Sequence, residues 1–496
     1  MTLKKRLGSS TAWMSLAATG NSLVSFLIFI ILSRILGPKD IGLVAFALII
    51  VEFGRILVNA GFSQAIVQKT TWDNTYASTC FYLNIFFAAI VTVVVLLIGA
   101  PLISYYYVPE AGPIVKALSV IYFIEGLKAV HDGKLKREFA FRVIAFRTVA
   151  ASIVSGIVGI YLVLHDFGVW ALVWQQLTNH FLIAIITLSS AKWMPSMTFS
   201  RSEAKALLRF SSPLMFAQLM GNINNYILEI LLGIFIGPAA LGIYRVGGRA
   251  LYILQDVVLK PFEYTALSAL SRLSSLQQQA YGTLRLIRMS AYIIFPIFFG
   301  AAALSAEFIV LAFGAKWAAS GNIMAILAIG VAPQVFGYNV NAALSASNNS
   351  KVVMKIASID FVIACTLGFI TVPMGITATA IGYLIRNYVM ALVSLLFFKK
   401  TFSVGIVDMV GKLLPCLAAS LIMFATVHAA KLPLAQHLPA ALNIIILCSL
   451  GIATYFTCMI TIFRTETKNF LCEGIELAPT NMRTYIEKVQ RLIKLA

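Results

Sequence analysis

Ionisable side chains occur within long apolar segments of this chain, where such groups are costly and normally face a water-filled interior or a partner. The densest group lies between residues 241 and 269 and consists of Arg245, Arg249, Asp256, Lys260 and Glu263. In a regular helix their spacing places them on one face, which Tyr252 completes. The pattern predicts a hydrated, partly cationic surface inside a membrane, rather than an apolar helix in contact with lipid.

Other apolar segments contain further candidates of three chemical types. Arginine suits phosphate because its planar guanidinium stays charged, so five arginines are candidates for holding an anionic head group: Arg34, Arg55, Arg245, Arg249 and Arg386. The polar residues predicted to line the same cavity are Asn21, Asn59, Gln218, Asn222, Asn225 and Tyr252. The acidic candidates for relaying protons, binding sodium or pairing with the arginines are Glu52, Glu229, Asp256 and Asp360.

Structural ion pairs are the alternative interpretation of these charges. Glu52 and Arg55 are three residues apart, and Asp256 and Lys260 are four apart, so each pair can close on one helix. Arg34 and Lys260 stand near predicted helix ends, where long basic side chains reach the interface. Both interpretations remain open from the sequence.

Metal, cofactor and disulfide chemistry have no support in the sequence. The six cysteines form no CxxC pair, and none of the five histidines has ligand spacing to another histidine or to a cysteine. The glycine-rich points match neither a Walker nor a dinucleotide fingerprint. We therefore expect no cofactor, no metal site, no disulfide framework and no enzymatic activity.

The composition explains why these charges stand out. Of 496 residues, 60% are hydrophobic and only 11% are charged, whereas soluble domains have about 25% charged residues. The chain is therefore neither a soluble globular protein nor a disordered one. Its net charge of +19 would suggest nucleic acid in a soluble protein, but the positions of the basic residues give another explanation, so we expect no nucleic-acid partner.

The apolar segments predict an all-α polytopic membrane protein with about fourteen transmembrane helices. The predicted spans are residues 11–36, 42–67, 76–99, 113–130, 143–164, 168–190, 211–236, 241–269, 284–304, 322–345, 352–372, 376–398, 412–430 and 440–463. The first follows a basic N-terminus but is too long for a signal-peptide core, so we expect it to be a retained span. The second and eighth are the least hydrophobic.

Lysine and arginine are concentrated in alternate loops, which predicts the orientation of the spans. The predicted inner loops and both termini hold most of the basic residues, whereas the predicted outer loops hold few and are short. Both termini are therefore expected to be cytoplasmic. From Met482 onwards the tail reads as a basic amphipathic helix resting on anionic lipid head groups, with a solvated tail helix as the alternative.

Two segments repeat at nearly the same offset. Residues 36–42, LGPKDIG, match residues 236–242, IGPAALG, at an offset of 200, and Phe167-Gly168 matches Met374-Gly375 at 207. Asn21 matches Asn222 in the same way. The repeat predicts two six-helix bundles, 1–200 and 201–400, around a central cavity, followed by two spans in 401–463 and a cytoplasmic tail, 464–496.

Several short motifs resemble those of a known family. A basic N-terminus precedes Ser33-Arg34-Ile35-Leu36-Gly37-Pro38, the second span contains Asn59-Ala60-Gly61-Phe62, and Arg137-Glu138-Phe139 is followed by Phe141-Arg142. These segments resemble the polysaccharide transporter family, the Wzx-like oligosaccharide flippases, which share a superfamily with multidrug and toxin extruders. The last segment is similar to the branch that serves exopolysaccharide export.

The resemblance implies a substrate, a direction and a mechanism. The substrate would be an oligosaccharide on undecaprenyl pyrophosphate, moved from the cytoplasmic to the outer leaflet of a bacterial inner membrane by alternating access. The coupling ion would be a proton or sodium, and polysaccharide polymerase and export proteins would be partners.

Three other functions compete with this one. A scaffold or assembly protein is compatible with the sequence, but it would have no reason to keep a charged stripe inside the bilayer. An extruder of cationic drugs would need an acidic cavity, whereas the intramembrane excess here is basic. A membrane enzyme of polysaccharide assembly would need a large outer loop, and the predicted outer loops are short.

Overall fold

The computed structural model describes residues 3–59, 61–69, 71–435 and 439–477, and all regular secondary structure among them is helical. The chain divides into two compact units, Met1–Val246 and Gly247–Ala496. We call them the first and the second unit. Apolar residues dominate the helices of both, as expected for segments whose backbone polar groups must be satisfied within the helix itself.

The first unit contains ten helices among the described residues and the start of an eleventh. They are α1 (Leu3–Ile35), α2 (Pro38–Asn59), α3 (Phe62–Gln68), α4 (Asn74–Val94), α5 (Ala100–Tyr106), α6 (Ala111–Leu118), α7 (Val120–Arg137), α8 (Phe141–Leu164), α9 (Val169–Ala191), α10 (Arg201–Ile236) and α11 (Pro238–Leu254). A π-helical turn, Val95–Gly99, joins α4 to α5. Helices α8 and α9 pack on each other, and α7 packs on α4 and α9.

The second unit begins within α11 and continues through eleven further helices in its described part. They are α12 (Lys260–Leu270), α13 (Leu276–Ala303), α14 (Ser305–Phe313), α15 (Ala318–Val331), α16 (Gln334–Ala346), α17 (Ser350–Thr371), α18 (Ile376–Phe402), α19 (Ile406–Gly411), α20 (Leu414–Ala435), α21 (Ala440–Thr461) and α22 (Arg464–Leu477). Short 3-10 turns occupy Ala315–Trp317 and Val372–Met374. Helix α13 packs against α15, α16 and α20.

Eleven helical segments of the described residues are long and apolar enough to cross a membrane, and Thr19–Ile35 is a shorter apolar segment. The prediction of an all-α polytopic membrane protein is confirmed, whereas the exact count of fourteen spans is not. The eleven correspond to all predicted spans except the first, the fourth and the eighth. The fourth is split at Ser119 between α6 and α7, and the eighth carries too many charges for a purely apolar segment.

A π-helical turn at Gln255–Leu259 interrupts the eighth predicted span between α11 and α12. In such a turn the hydrogen bonds run from residue i to i+5, so the phase of the following residues shifts. The prediction of a single charged face assumed regular α-helical spacing. The turn therefore separates Arg245 and Arg249, which precede it, from Lys260 and Glu263, which follow it.

The two copies of the repeated glycine-proline motif meet inside the first unit. Helices α2 and α11 both begin with proline, the residue whose fixed φ suits the first helical position. A Cβ atom added to Gly42 would lie 1.7 Å from the carbonyl oxygen of Pro238, and one added to Gly242 would lie 2.0 Å from that of Pro38. The two helices therefore cross backbone to backbone at reciprocal positions, which only glycine allows.

Two predictions remain open at this point. The amphipathic tail from Met482 onwards lies outside the described residues. The proposed bundle boundaries at 200 and 400, and the cavity between the bundles, stay predictions.

Candidate functional site

Arg55 is shared between two carboxylates in the first unit. Its Nη1 donates a hydrogen bond to Oε2 of Glu52 at 2.8 Å, one turn away on α2. Its Nε lies 3.6 Å from Oε1 of Glu125 on α7, within ion-pair distance but beyond a hydrogen bond. The predicted Glu52–Arg55 pair is thus present, but a third residue that the sequence did not assign to the site takes part.

Glu125 is the centre of this cluster. Its side chain is 4% exposed, and its Oε1 accepts from Nζ of Lys128 at 2.9 Å and from Nδ1 of His180 at 3.0 Å. Its Oε2 accepts a longer hydrogen bond, 3.5 Å, from Nδ2 of Asn59. Helices α2, α7 and α9 therefore converge on one buried carboxylate, and the cations around it offset the cost of burying its charge.

Arg245 binds a second buried carboxylate of the first unit. Its Nε donates to Oε2 of Glu229 on α10 at 2.7 Å. Its guanidinium carbon also lies 5.9 Å from the centre of the Tyr226 ring, a cation–π distance. Glu229 is buried, whereas Arg245 is only partly so. Two residues predicted for different roles, anion binding and ion coupling, are therefore bound to each other.

Arg386 and Asp360 form a bidentate pair in the second unit. Nε of Arg386 donates to Oδ1 of Asp360, and its Nη2 donates to Oδ2, both at 2.7 Å. The pair joins α18 to α17, and its side chains are 12% and 22% exposed. Two parallel hydrogen bonds between ionised groups are stronger and more directional than a single contact.

The remaining charged candidates are less buried. Lys260 Nζ lies 2.5 Å from Oδ1 of Asp256, so the predicted pair exists, and both side chains are more than one-third exposed. Arg34 is exposed at the end of α1, and Arg249 is half-buried. Asp256 is more exposed than Glu229. Its predicted role in ion coupling is therefore less well supported, because a coupling carboxylate is expected to be buried.

The polar candidates are dispersed rather than gathered at one point. Asn21 Oδ1 accepts from Oγ of Ser152 at 2.5 Å, which connects α1 to α8. Asn222 donates to the backbone oxygen of Gln218 within α10. Asn225 and Tyr252 are exposed.

A charged cluster outside the spans fixes the segment between α3 and α4. Nζ of Lys69 lies 3.4 Å from both Asp73 and Glu203, and 3.7 Å above the Tyr76 ring. Asp73 is the N-cap of α4 and accepts from the backbone N–H groups of Thr75 and Tyr76. Slight burial raises the pKa of Asp73, but these N–H groups and Lys69 outweigh it and bring that pKa below its ordinary value.

No group of three or more metal-ligating side chains occurs among the described residues. The sequence missed the parts of the Glu125 cluster that come from different helices. Glu125 and Lys128 are three residues apart within the fourth predicted span, which was a usable signal. His180 is 55 residues away on α9, and no spacing rule connects it to α7.

Comparison with known proteins identifies relatives of a large part of this chain. The family described as "Polysaccharide biosynthesis protein" matches residues 31–322. The succinoglycan biosynthesis transport protein ExoT of Rhizobium meliloti (strain 1021) is 24% identical over 330 residues, which are 66% of this chain and 66% of that protein.

Two solved structures share the fold. The lipid II flippase MurJ in its inward closed conformation has a TM-score of 0.76 at 13% identity, covering 91% of this chain and 99% of MurJ. A multidrug resistance transporter of the MATE family, in an inward-facing conformation, has a TM-score of 0.58 at 17% identity. The match covers 79% of this chain and 94% of the transporter chain.

Proposed function

The chain belongs to the polysaccharide biosynthesis protein family. On that basis we propose that it flips an undecaprenyl-pyrophosphate-linked oligosaccharide. The movement would run from the cytoplasmic to the periplasmic leaflet of a bacterial inner membrane, with both termini cytoplasmic. It would proceed by ion-coupled alternating access of two bundles around a central cavity. A pyrophosphate needs such a route, because it cannot cross hydrocarbon without polar, charge-matched partners.

The observation that carries this proposal is the set of arginines held by carboxylates within the apolar helices. Arg55, Arg245 and Arg386 each contact at least one acidic side chain within 2.8 Å. Arg386 holds the Asp360 carboxylate through two parallel hydrogen bonds, and a guanidinium that binds a planar carboxylate in this way has the geometry to hold a phosphate. We propose that the incoming pyrophosphate takes the place of these carboxylates, so that the arginines exchange one anion for another without becoming uncompensated.

The likeness to other transporters supports a large lipid-linked substrate over a small drug. The fold agrees more closely with MurJ, named as a lipid II flippase, than with the MATE transporter, by TM-scores of 0.76 and 0.58. An anionic substrate is also the kind that can replace the carboxylates bound to Arg55, Arg245 and Arg386.

The test is polymer export in cells that depend on this chain. We expect the double variant Arg245→Ala with Arg249→Ala to abolish export while the protein still inserts into the membrane. The matched control is Arg201→Ala with Lys205→Ala, which removes two exposed basic residues at the same spacing from the start of α10 and should leave export intact. Normal export by the Arg245/Arg249 variant would refute the assignment of these arginines to the substrate.

A second variant separates a substrate role from a purely structural one. Arg245→Ala alone removes the cation that lies 2.7 Å from buried Glu229, and the loss of one member of a buried ion pair destabilises a protein whatever its function. Glu229→Gln with Arg245→Gln neutralises both members and avoids this penalty. We expect this double variant to be stably inserted and inactive in export. If it exports polymer normally, the Arg245–Glu229 pair has only a structural role.

A further inference from the structure

The cluster around Glu125 contains a histidine for which the transport mechanism above has no role. His180 lies in the apolar helix α9, and its Nδ1 is 3.0 Å from Oε1 of Glu125. An ionised carboxylate only accepts hydrogen bonds, so Nδ1 carries the hydrogen and Nε2 is the nitrogen that remains able to take a proton. Histidine is the side chain whose charge most readily changes near neutral pH.

The charges around His180 balance when its ring is neutral. Glu52 and Glu125 provide two negative charges, and Arg55 and Lys128 provide two positive ones. One added proton therefore changes the cluster from neutral to cationic. Burial of the ring and the neighbouring Arg55 and Lys128 oppose an imidazolium there, whereas the Glu125 carboxylate favours it, so the ring takes up the proton only when protons are abundant.

The helices packed on α9 are α2, α6, α7 and α8. Their charged or histidine residues outside the cluster are Lys39, Asp40, Lys116, His131, Asp132, Lys134, Lys136, Arg137, Arg142 and Arg147. The charged groups that act on the His180 ring are Glu125, Arg55 and Lys128, all of them members of the cluster. In α8, which packs on α9, Arg147 is engaged by Asp132 and by Thr187. The protonation of His180 is therefore governed by the cluster itself.

The coordination of Glu125 favours a proton over a metal cation. Its Oε1 already contacts Lys128, His180 and Arg55, and its Oε2 contacts Asn59. Hard cations bind through several oxygen ligands, and here nitrogen donors occupy both oxygens. Sodium would have to displace two full positive charges, whereas a proton adds to the ring and leaves every contact in place.

A path of increasing exposure leads from the centre of the cluster. Side-chain exposure rises from 4% at Glu125 to 13% at His180, 29% at Arg55 and 35% at Glu52. Arg55 forms ion pairs with both Glu52 and Glu125. The strength of its ion pair with Glu125 therefore depends on how strongly Glu125 binds its other partners, including His180. A change of charge at His180 thereby reaches an arginine proposed to bind the substrate.

We propose that His180 and Glu125 form the proton-binding site that couples this transporter to a proton gradient, with His180 accepting the proton at Nε2 and Glu125 positioning and stabilising the resulting imidazolium. The coupling rests on the proposed function. The proton comes from water and returns to water, so no other reactant is required. The site differs from the acidic candidates Glu229, Asp256 and Asp360, each of which is bound to an arginine or a lysine.

The first experiment measures proton binding without any transport. The full chain, with isotopically labelled histidine and in detergent, is titrated while its imidazole NMR signals are recorded. The His180 signal is the one lost in His180→Asn, a variant whose side-chain amide can still donate to Glu125. We expect this signal to change protonation between about pH 4 and 6.5, on the acidic side of the ordinary histidine value, and Glu125→Gln to reduce the protonated fraction at each pH. A signal unchanged over that range would overturn the inference, whether or not the protein is a flippase.

The second experiment measures coupling in proteoliposomes that carry a fluorescent undecaprenyl-pyrophosphate-linked monosaccharide as the probe. We expect a pH gradient to accelerate movement of the probe by the wild type, and His180→Asn to lose that acceleration. The matched control is His165→Asn, an exposed histidine at the end of α8, which should respond to the gradient as the wild type does. An unaltered response in His180→Asn would overturn the inference and leave the flippase function standing. A wild type that does not move the probe would count against the proposed function instead.

Discussion

The crossing of α2 and α11 makes a sharp prediction about stability. A Cβ atom at Gly42 would lie 1.7 Å from the Pro238 oxygen and 2.5 Å from its carbonyl carbon, and the nearest tolerable approach is 3.0 Å. Gly42→Ala must therefore push the two backbones apart by about 1.3 Å at this point. Neither neighbouring atom belongs to a flexible side chain, so the strain cannot be relieved by a rotamer change.

The magnitude follows from two opposing terms. Replacing glycine by alanine within a helix favours folding by up to about 1 kcal/mol. Overpacking at a close contact costs about 1–3 kcal/mol. Where the helices are pushed apart by about 0.5–1 Å, each neighbouring atom pair also loses about a quarter to a half of its dispersion energy. We expect Gly42→Ala to be destabilised by about 1–2 kcal/mol net, and Gly242→Ala, whose Cβ would lie 2.0 Å from Pro38, by a similar amount.

The assay is the apparent melting temperature of the purified full chain in detergent. The matched control is Gly221→Ala in α10, because a Cβ atom there meets nothing within 4 Å and should leave the protein as stable or slightly more so. The double variant of Gly42 and Gly242 should lose less than the sum of the two single losses, since one separation of the helices relieves both clashes. A Gly42→Ala protein as stable as the Gly221→Ala control would refute the close crossing.

Three further predictions concern single charged groups. Asp360→Asn removes the partner of Arg386 and should cost about 3 kcal/mol of stability, whereas replacing both residues by apolar ones should restore most of it, as measured by thermal melting. Asp132→Asn should be similarly destabilising, because Arg147 is buried against it. The pKa of Asp73 is lowered in the folded protein, so its contribution to stability is present above the unfolded value of about 3.9 and is lost as pH falls below it. The melting temperature of Asp73→Asn, which keeps the helix cap, should therefore fall less steeply below pH 4 than that of the wild type.

Hydropathy predicted most of the fold because burial in lipid depends mainly on local composition. Eleven of the predicted spans correspond to apolar helical segments of the described residues. The eighth was not predictable in detail, because the π-helical turn at Gln255–Leu259 changes the helical phase without an obvious sequence mark. A charged face that is continuous in a regular helix is interrupted there.

The candidate site was predictable only in part, because ion pairs between helices have no fixed spacing in sequence. Glu52 and Arg55 lie on one helix and were predicted as an alternative to substrate binding, and the structure has that pair. The partners of Arg245 and Arg386 lie 16 and 26 residues away. Only the packing of helices brings them together.

The pairing changes the argument for an anionic substrate. In the sequence, arginines within the spans look like a surplus of positive charge that would attract a pyrophosphate. In the structure, Arg55, Arg245 and Arg386 are each compensated by an acidic side chain, so the local field is much weaker than the count of arginines suggests. Affinity for an anion must then come from exchange of one anion for another at the arginine. The substrate has to form stronger hydrogen bonds with the arginine than the carboxylate does. The displaced carboxylate has to be hydrated by water or neutralised by a proton. An exchangeable site can release its ligand as readily as it binds it, because the carboxylate returns when the substrate leaves. Permanently uncompensated arginines would bind a pyrophosphate tightly and would give it no reason to leave on the far side of the membrane.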